Sequence, residues 1–510
     1  MQQATGLATI PRKPIGRHGE LRGLETHGRS DQLDGRFGRM FRTLPAADFN
    51  ADILHALAAA MTAEFEATQT PETEVDDEEN TGISAGYTYL GQFIDHDLTF
   101  DPASSLQRQD DPNALVDFRT PRFDLDNVYG RGPDDQPYLY RGDGLHMLLG
   151  DALTGNPDDP KARGVPRNTP EPGEPARALL GDPRNDENVI VSQLQASMLR
   201  FHNRMVDVLA TSDFEEAQRQ VRWHYQWVVL HDFLPTVIGT DTMRSIFGTA
   251  KDGGIDFTNH PKLLFYKPKQ SAFMPVEFSA AAYRFGHSMV RPIYRLNQTI
   301  DRLMIFSNTG ESLVGFRKFP TNWAIDWNLF FKTGNPPALG PKRVQPAYKP
   351  DTSLVNPLGS LPASVAVNPS VLAERNLLRG WRMGLPSGQS VARAMSVPVI
   401  PDSKLKVGKA TEADTPDNKS ITDISPRFAG NAPLWFYILS EAQQQFLKND
   451  TPLHLGPVGG RIVGEVFVGL LYEDSHSYVR QNPTFTPLKE FLSESGEFKM
   501  ADLLRQARQA

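Results

Sequence analysis

The chain of 510 residues contains no cysteine. That absence excludes disulfides, thiolate metal sites and any thiolate ligand to a bound group. Long apolar runs are missing as well. The longest near the end, Ile462 to Tyr472, is interrupted by Glu465 and falls short of the roughly 20 residues a membrane-spanning helix requires. The first forty residues carry charges throughout and no apolar core of signal-peptide length, so cleavable secretion is not expected. The protein is expected to be soluble, and either cytoplasmic or exported by a non-classical route. Strong charge of one sign is also lacking: 53 basic and 61 acidic residues leave a net charge of -8. There is therefore no electrostatic case for nucleic acid or acidic lipid as a partner.

What is present, 39% hydrophobic and 22% charged residues, describes a globular protein. Its length exceeds what one simple core organises, so two or three subdomains around one site are expected. Residues 1–50, rich in Gly and Arg without periodicity, read as an N-terminal arm. The main domain is expected over 51–490, and 491–510 form a C-terminal tail. Glu72 to Asn80 reads as a solvated acidic loop, and 101–185, dense in Pro, Gly and Asp, as a long functional loop. Helical spacing begins at Gly86 and is strongest from Asn188 to Ala210, where Val191, Leu194, Met198, Phe201, Met205 and Leu209 form one stripe. Ser212 with Glu215 predicts a capping box for a helix running through Val221, Tyr225, Val229 and Phe233 toward Pro235. Further helices are expected over Phe278 to Val290 and Val371 to Met383. Residues 333–370 read as a Pro-rich connection and 400–425 as a charged loop. The fold class is mainly α, with few short strands and long loops.

Four segments carry chemistry. In Gly91-Gln92-Phe93-Ile94-Asp95-His96-Asp97, a helix puts Gln92 and His96 on one face, with Asp95 and Asp97 about 100° to either side. One turn thus presents an imidazole and an amide to a pocket, one carboxylate to its rim and another to a cation. Thr120-Pro121-Arg122-Phe123-Asp124-Leu125-Asp126 offers oxygens at alternate residues, which suits a hard cation such as calcium. Gly181-Asp182-Pro183-Arg184-Asn185-Asp186-Glu187-Asn188 precedes the long helix. Tyr283-Arg284-Phe285-Gly286-His287 is followed much later by Asn376-Leu377-Leu378-Arg379-Gly380-Trp381-Arg382-Met383-Gly384-Leu385-Pro386.

Together these segments resemble, in order and over roughly residues 45–480, the animal-type haem peroxidases of the peroxidase-cyclooxygenase superfamily. The resemblance implies that family's helical fold around a buried haem b. His96 would move protons for bound peroxide, with Gln92 beside it and Arg184 polarising the peroxide. Asp95 and Glu187 would form ester bonds to haem. Any haem iron must take a histidine or another non-sulfur ligand, methionine apart; the resemblance points to His287, with Asn376 accepting from its other nitrogen and Arg284 and Arg379 meeting propionates. Calcium would take side-chain oxygens from Asp97, Thr120, Asp124 and Asp126 and carbonyls from Thr120 and Arg122. Gly456-Pro457 through Gly464-Glu465 is a weaker echo of the family's C-terminal helix.

The departures also carry expectations. Asn188 stands where a sulfonium-forming methionine follows the esterified glutamate in some relatives, so two ester bonds at most are expected and chloride oxidation is in doubt. Trp381, Arg382 and Met383 depart from the family's stretch after Arg379. The lipid dioxygenases of the superfamily need a tyrosine three residues before the proximal histidine. That position is Arg284 here, and Tyr283 lies about 100° away on a helix. The expected function is therefore reduction of hydrogen peroxide with oxidation of halides (iodide, bromide), thiocyanate or small aromatic donors. Fatty-acid dioxygenation and a haem-bearing adhesion role are the alternatives.

Overall fold

A computed structural model describes residues 35–65, 77–100, 116–268, 271–307, 310–333, 344–363, 365–366, 368–449 and 451–510. The arm expected over 1–50 lies outside the described residues up to position 34, and so do residues 101–115 of the loop expected over 101–185. From Gly35 onward the chain is bound to the body. Phe37, Met40 and Phe41 are buried, and the buried Glu277 carboxylate accepts the Met40 and Phe41 N–H groups, each at 3.0 Å.

Helices dominate, as the sequence predicts. The main ones are α1 (Ala51–Met61), α2 (Ala85–Leu98), α3 (Val189–Leu209), α4 (Phe214–Val228), α5 (Leu234–Phe247), α6 (Leu372–Arg382), α7 (Leu434–Asn449), α8 (Pro457–Glu473) and α9 (Met500–Ala507). Strands are two to six residues long. Gly35–Gly38 pairs antiparallel with Val116–Asp117 and parallel with Met274–Pro275. Glu79–Ser84 pairs antiparallel with Pro346–Tyr348. Residues 79 and 80, expected in a solvated loop, instead begin a strand and are buried, with Glu79 paired to Arg291 at 2.9 Å.

α3 forms where the apolar stripe predicts it. The Asn188 side chain caps it by accepting from the Ile190 and Val191 N–H groups, and Ala210 ends it in the left-handed region at φ 48. Three local expectations are corrected. The cap of α4 is Asp213, which accepts from the Glu215 N–H; its carboxylate sits one residue closer to the turn than the Ser212 hydroxyl. Pro235 does not stop the helix: a π-turn over Val229–Phe233 leads without a break into α5, and that widened turn accommodates the proline ring and its missing N–H. The helix expected over Phe278 to Val290 is two short pieces, Val276–Ser279 and a 3₁₀ turn over Ala282–His287.

The core beneath the site is aromatic. Phe467 of α8 contacts Phe123 (5.1 Å between ring centres), Tyr283 (5.2 Å), Phe278 (5.6 Å) and Phe233 (5.9 Å). This block joins the acidic loop, α8 and the Ala282–His287 turn. The last twenty residues also fold onto the body, with Met500, Leu503 and Leu504 of α9 buried against α3. Among the described residues no helix is long and apolar enough to cross a membrane.

Candidate active site

α2 carries Gln92, Asp95, His96 and Asp97 within its last turns. The 3₁₀ turn Pro183–Asp186 leads Arg184, Asn185 and Glu187 up to it, shaped by the Asp182 carboxylate accepting the Arg184 N–H and by Pro183 in its first turn. Gln92 donates from Nε2 to Glu187 Oε1 and accepts from Asn188 Nδ2 at 3.1 Å. His96 places Nε2 3.6 Å from Glu187 Oε1, while its Nδ1 lies 2.6 Å from Asn185 Oδ1. Burial, and then the positive charge of Arg184, lower the pKa of His96 to about 4, so the ring is neutral at neutral pH.

Glu187 is desolvated enough for its pKa to be pushed up to about 7, yet its side chain keeps 33% of its surface. Asp95, half-buried, accepts from the Thr99 hydroxyl at 3.1 Å.

The expected proximal residues also meet. Asn376 of α6 places Nδ2 2.8 Å from His287 Nδ1. With this amide orientation the hydrogen sits on Nε2; a metal at Nε2 requires the amide turned over, so that Oδ1 accepts from Nδ1–H, a rotation that preserves the amide's shape. Burial, followed by the charge of Arg284, lowers the His287 pKa to about 3, the neutral form a metal requires. The Ala282–His287 turn packs on α2, and Tyr283 donates its hydroxyl to the Gly91 carbonyl at 3.1 Å. Arg284 donates from Nε to the Ser279 carbonyl at 2.9 Å, and Arg379 lies three residues after Asn376 on α6. Two buried neutral imidazoles, one of them held at Nδ1 by an amide, and a desolvated carboxyl fit a haem.

Arg184 is placed differently from a group aimed at the pocket centre. Its guanidinium holds Asp182 at 2.8 Å and the Thr99 and His96 carbonyls at 2.6 and 3.1 Å, with the Phe100 ring 4.6 Å away. It therefore caps the C-terminal end of α2. Burial alone would raise the pKa of Asp182, but Arg184 and Arg119 hold its carboxyl well below the usual range.

The acidic loop closes on the far side of α2. Leu125 adopts φ 59 between Asp124 and Asp126, and the Thr120 hydroxyl reaches both of those carboxylates at 2.6 and 3.3 Å. The Thr120 carbonyl accepts the Arg122 N–H at 2.8 Å. Among the described residues no three acidic or imidazole groups already converge on one metal-ligand point. Asp97 nevertheless is fully buried, and neither of its carboxylate oxygens makes a hydrogen bond of ordinary geometry. The Leu125 N–H and the Tyr225 hydroxyl lie near it without completing such a bond, and its pKa is driven well up by burial and by the charges of Asp124 and Asp126, while that of Asp126 is raised to about 7 by burial and Asp124. An orphaned buried carboxylate beside two others is a donor set that a hard cation satisfies.

Sequence reasoning missed Asp182, Asn185 and Gln195. Asp182 had a signal, an Asp-Pro pair opening a turn. Asn185 and Gln195 had none, since their roles depend on partners distant in the chain.

Residues 107–312 match the family model for animal haem peroxidase. Among curated proteins, the chain is 28% identical over 218 residues to the probable oxidoreductase PXDNL of Homo sapiens, covering 38% of this chain and 14% of that protein. It is 26% identical over 223 residues to thyroid peroxidase of Mus musculus, covering 39% and 22%. It thus spans less than a quarter of either relative. Among solved structures, peroxidase A of Dictyostelium discoideum has the same fold, with TM-score 0.57, 16% identity and coverage of 90% of this chain and 92% of that one. Fatty acid alpha-dioxygenase of Arabidopsis thaliana gives TM-score 0.52 at 14% identity, covering 91% and 74%. The matched segment, residues 107–312, is thus similar to the animal haem peroxidases, and the fold of the whole chain is that of the solved peroxidase and dioxygenase structures.

Proposed function

We propose that the protein is a haem peroxidase that reduces hydrogen peroxide and oxidises small donors: iodide, bromide, thiocyanate or small aromatics. The observation that carries this reading is the neutral, desolvated His96 on α2, grouped with Gln92 of the same helix and with Glu187, while α2 packs against the turn bearing the Asn376-held His287.

His287 would hold the haem iron through Nε2, with Arg284 and Arg379 toward the propionates and Asp95 and Glu187 as ester sites. The haem, when bound, supplies the electrons that reduce peroxide and draws them back from the donor. His96 takes a proton from one peroxide oxygen at Nε2 and returns it to the departing oxygen, which a ring neutral above pH 4 is fit to do. Gln92 lines the same wall and orients Glu187. Arg184, clamped by Asp182, lends its positive charge to the pocket from beneath and fixes the end of α2 that carries His96. Calcium held by Asp97, Thr120, Asp124 and Asp126, with the Thr120 and Arg122 carbonyls, would neutralise the buried carboxylates and lock α2 to the acidic loop.

The test is the visible spectrum of the purified protein. A Soret band that shifts with peroxide and returns with iodide or bromide supports the reading; a colourless protein after haem supplementation overturns it. The dioxygenase fold neighbours make lipid oxygenation the competing activity. Oxygen uptake with linoleate in the absence of peroxide, faster than halide oxidation, would decide for it.

A further inference from the structure

We infer that Asn185 is a positioning residue for His96, and that the backbone carbonyl of Asn127 fixes, through Gln195 and Asn185, which ring nitrogen of His96 carries the hydrogen. The role in turnover rests on the peroxidase reading above; the tautomer itself does not.

Asn185, Gln195 and Asn127 are fully buried, and His96 nearly so, so no water is needed to complete the chain. The Asn127 carbonyl can only accept. It receives the Gln195 Nε2 at 3.3 Å and the Asp182 N–H at 3.2 Å. Turning the Gln195 amide over would face two oxygens and leave a buried N–H₂ misdirected, which costs more than the bond is worth. Gln195 must therefore present Oε1 to Asn185, whose Nδ2 donates to it at 2.8 Å. That leaves Asn185 Oδ1 toward His96 Nδ1 at 2.6 Å. An amide oxygen also only accepts, so Nδ1 carries the hydrogen. Nε2 is left with its lone pair on the side of the ring where Glu187 lies. Both amides in this relay could flip without changing shape; the peptide carbonyl at its end selects one of the two polarities.

The same relay joins the site to the acidic loop, because Asn127 follows Asp126 and its side chain donates to the Phe93 carbonyl of α2 at 3.1 Å. The position of His96 along α2 and the direction of its hydrogen are thus set from one point.

The direct test is long-range ¹H–¹⁵N correlation on ¹⁵N-histidine-labelled holoenzyme in its diamagnetic ferrous carbonyl form, with the His96 signals assigned by their loss in His96→Gln. The expected result is a hydrogen on Nδ1 and a lone pair on Nε2; a hydrogen on Nε2 in the unmodified protein overturns the inference. For turnover, Asn185→Leu should lower kcat/KM for peroxide by roughly tenfold to a hundredfold while leaving that for the donor unchanged. Asn185→Asp, which keeps an acceptor toward Nδ1, should restore most of the loss. A Leu variant that folds with unaltered peroxide kinetics, or an Asp variant as impaired as Leu, counts against Asn185. Gln195→Met gives an independent reading if the Leu variant does not fold: it removes the polarity lock, and the Nε2–H form should then appear in the spectrum. An unmodified protein with the expected tautomer but no peroxide turnover would overturn the peroxidase reading and leave the relay standing.

Discussion

Burial decides what His96 can do. A pKa lowered to about 4 keeps the ring neutral through the physiological range, and a neutral ring is the form that accepts a proton. His96→Gln should keep haem while losing on the order of 10²–10⁴ in kcat/KM for peroxide, as expected for removal of a general acid–base group. Normal turnover in stopped-flow mixing with peroxide would move the acid–base role elsewhere. Glu187 lies within reach of both Gln92 and His96 and keeps a third of its side-chain surface accessible, which suits an ester-forming carboxyl. After peroxide treatment, Glu187→Gln should release a larger share of haem into acidic organic solvent than the unmodified protein does. Release of all the haem from both proteins would remove Asp95 and Glu187 as attachment sites.

At the scale of elements, the distal part of the candidate site was legible in the sequence where it lies on regular helix or just ahead of one. The periodicity of α2 and α3 and the Asn188 cap put Gln92, His96 and Glu187 where they stand. The proximal segment was legible only as a motif. Its apolar spacing imitates a helix, but the chain breaks at Ala280–Ala281, and His287 ends a 3₁₀ turn in which residues three apart nearly eclipse. Arg284 and His287 still share a side there, so the pairing read from a helix survives the change of backbone. Contacts over long separations, such as Arg119 with Asp182, left no periodic trace.

One such contact sets the distal wall. Gly315 donates to the Glu187 carbonyl at 2.9 Å, and Phe316, at φ 54, donates to that of Asp186 at 2.7 Å. A Cβ at Gly315 would sit 1.7 Å from the Asp186 carbonyl oxygen. Neither backbone can yield as a side chain would, so Gly315→Ala should cost about 3 kcal/mol and displace Glu187, lowering both the thermal midpoint and the ester-linked fraction of haem. The acidic loop makes a parallel case. Chelation should lower the thermal midpoint of the unmodified protein, because Asp97 is then left buried and unpaired. Asp97→Asn, which removes that charge, should respond much less. Equal responses in the two proteins would take the cation away from Asp97.

Across the whole molecule, buried titratable groups pull stability in opposite directions as pH changes. Burial raises Asp117 to about 8 and Glu441 to about 7, so both hold protons in the folded state that the unfolded chain has released, and stability falls as pH rises toward those values. Away from the site, His202 and His224 are lowered to about 4 and His231 to about 3, burial again being the main cause. Each contributes stability that is complete above the unfolded value of about 6.5 and is lost as pH falls toward the folded value. Because the two sets oppose each other, the total pH curve does not identify either, whereas a difference between two proteins does. His224 is suited to this. Its Nδ1 donates to the Gln220 carbonyl at 2.7 Å and its Nε2 accepts the Leu488 N–H at 3.0 Å. Protonation would place a hydrogen against that N–H, in a pocket walled by Phe485, Phe491 and Phe498. His224→Gln cannot titrate. Measured by urea denaturation at pH 7 and again at pH 4.5, the unmodified protein should lose roughly 2 kcal/mol more than the variant over that interval. Equal losses would mean that His224 is already charged in the fold, and that the Leu488 N–H is held by something other than this ring.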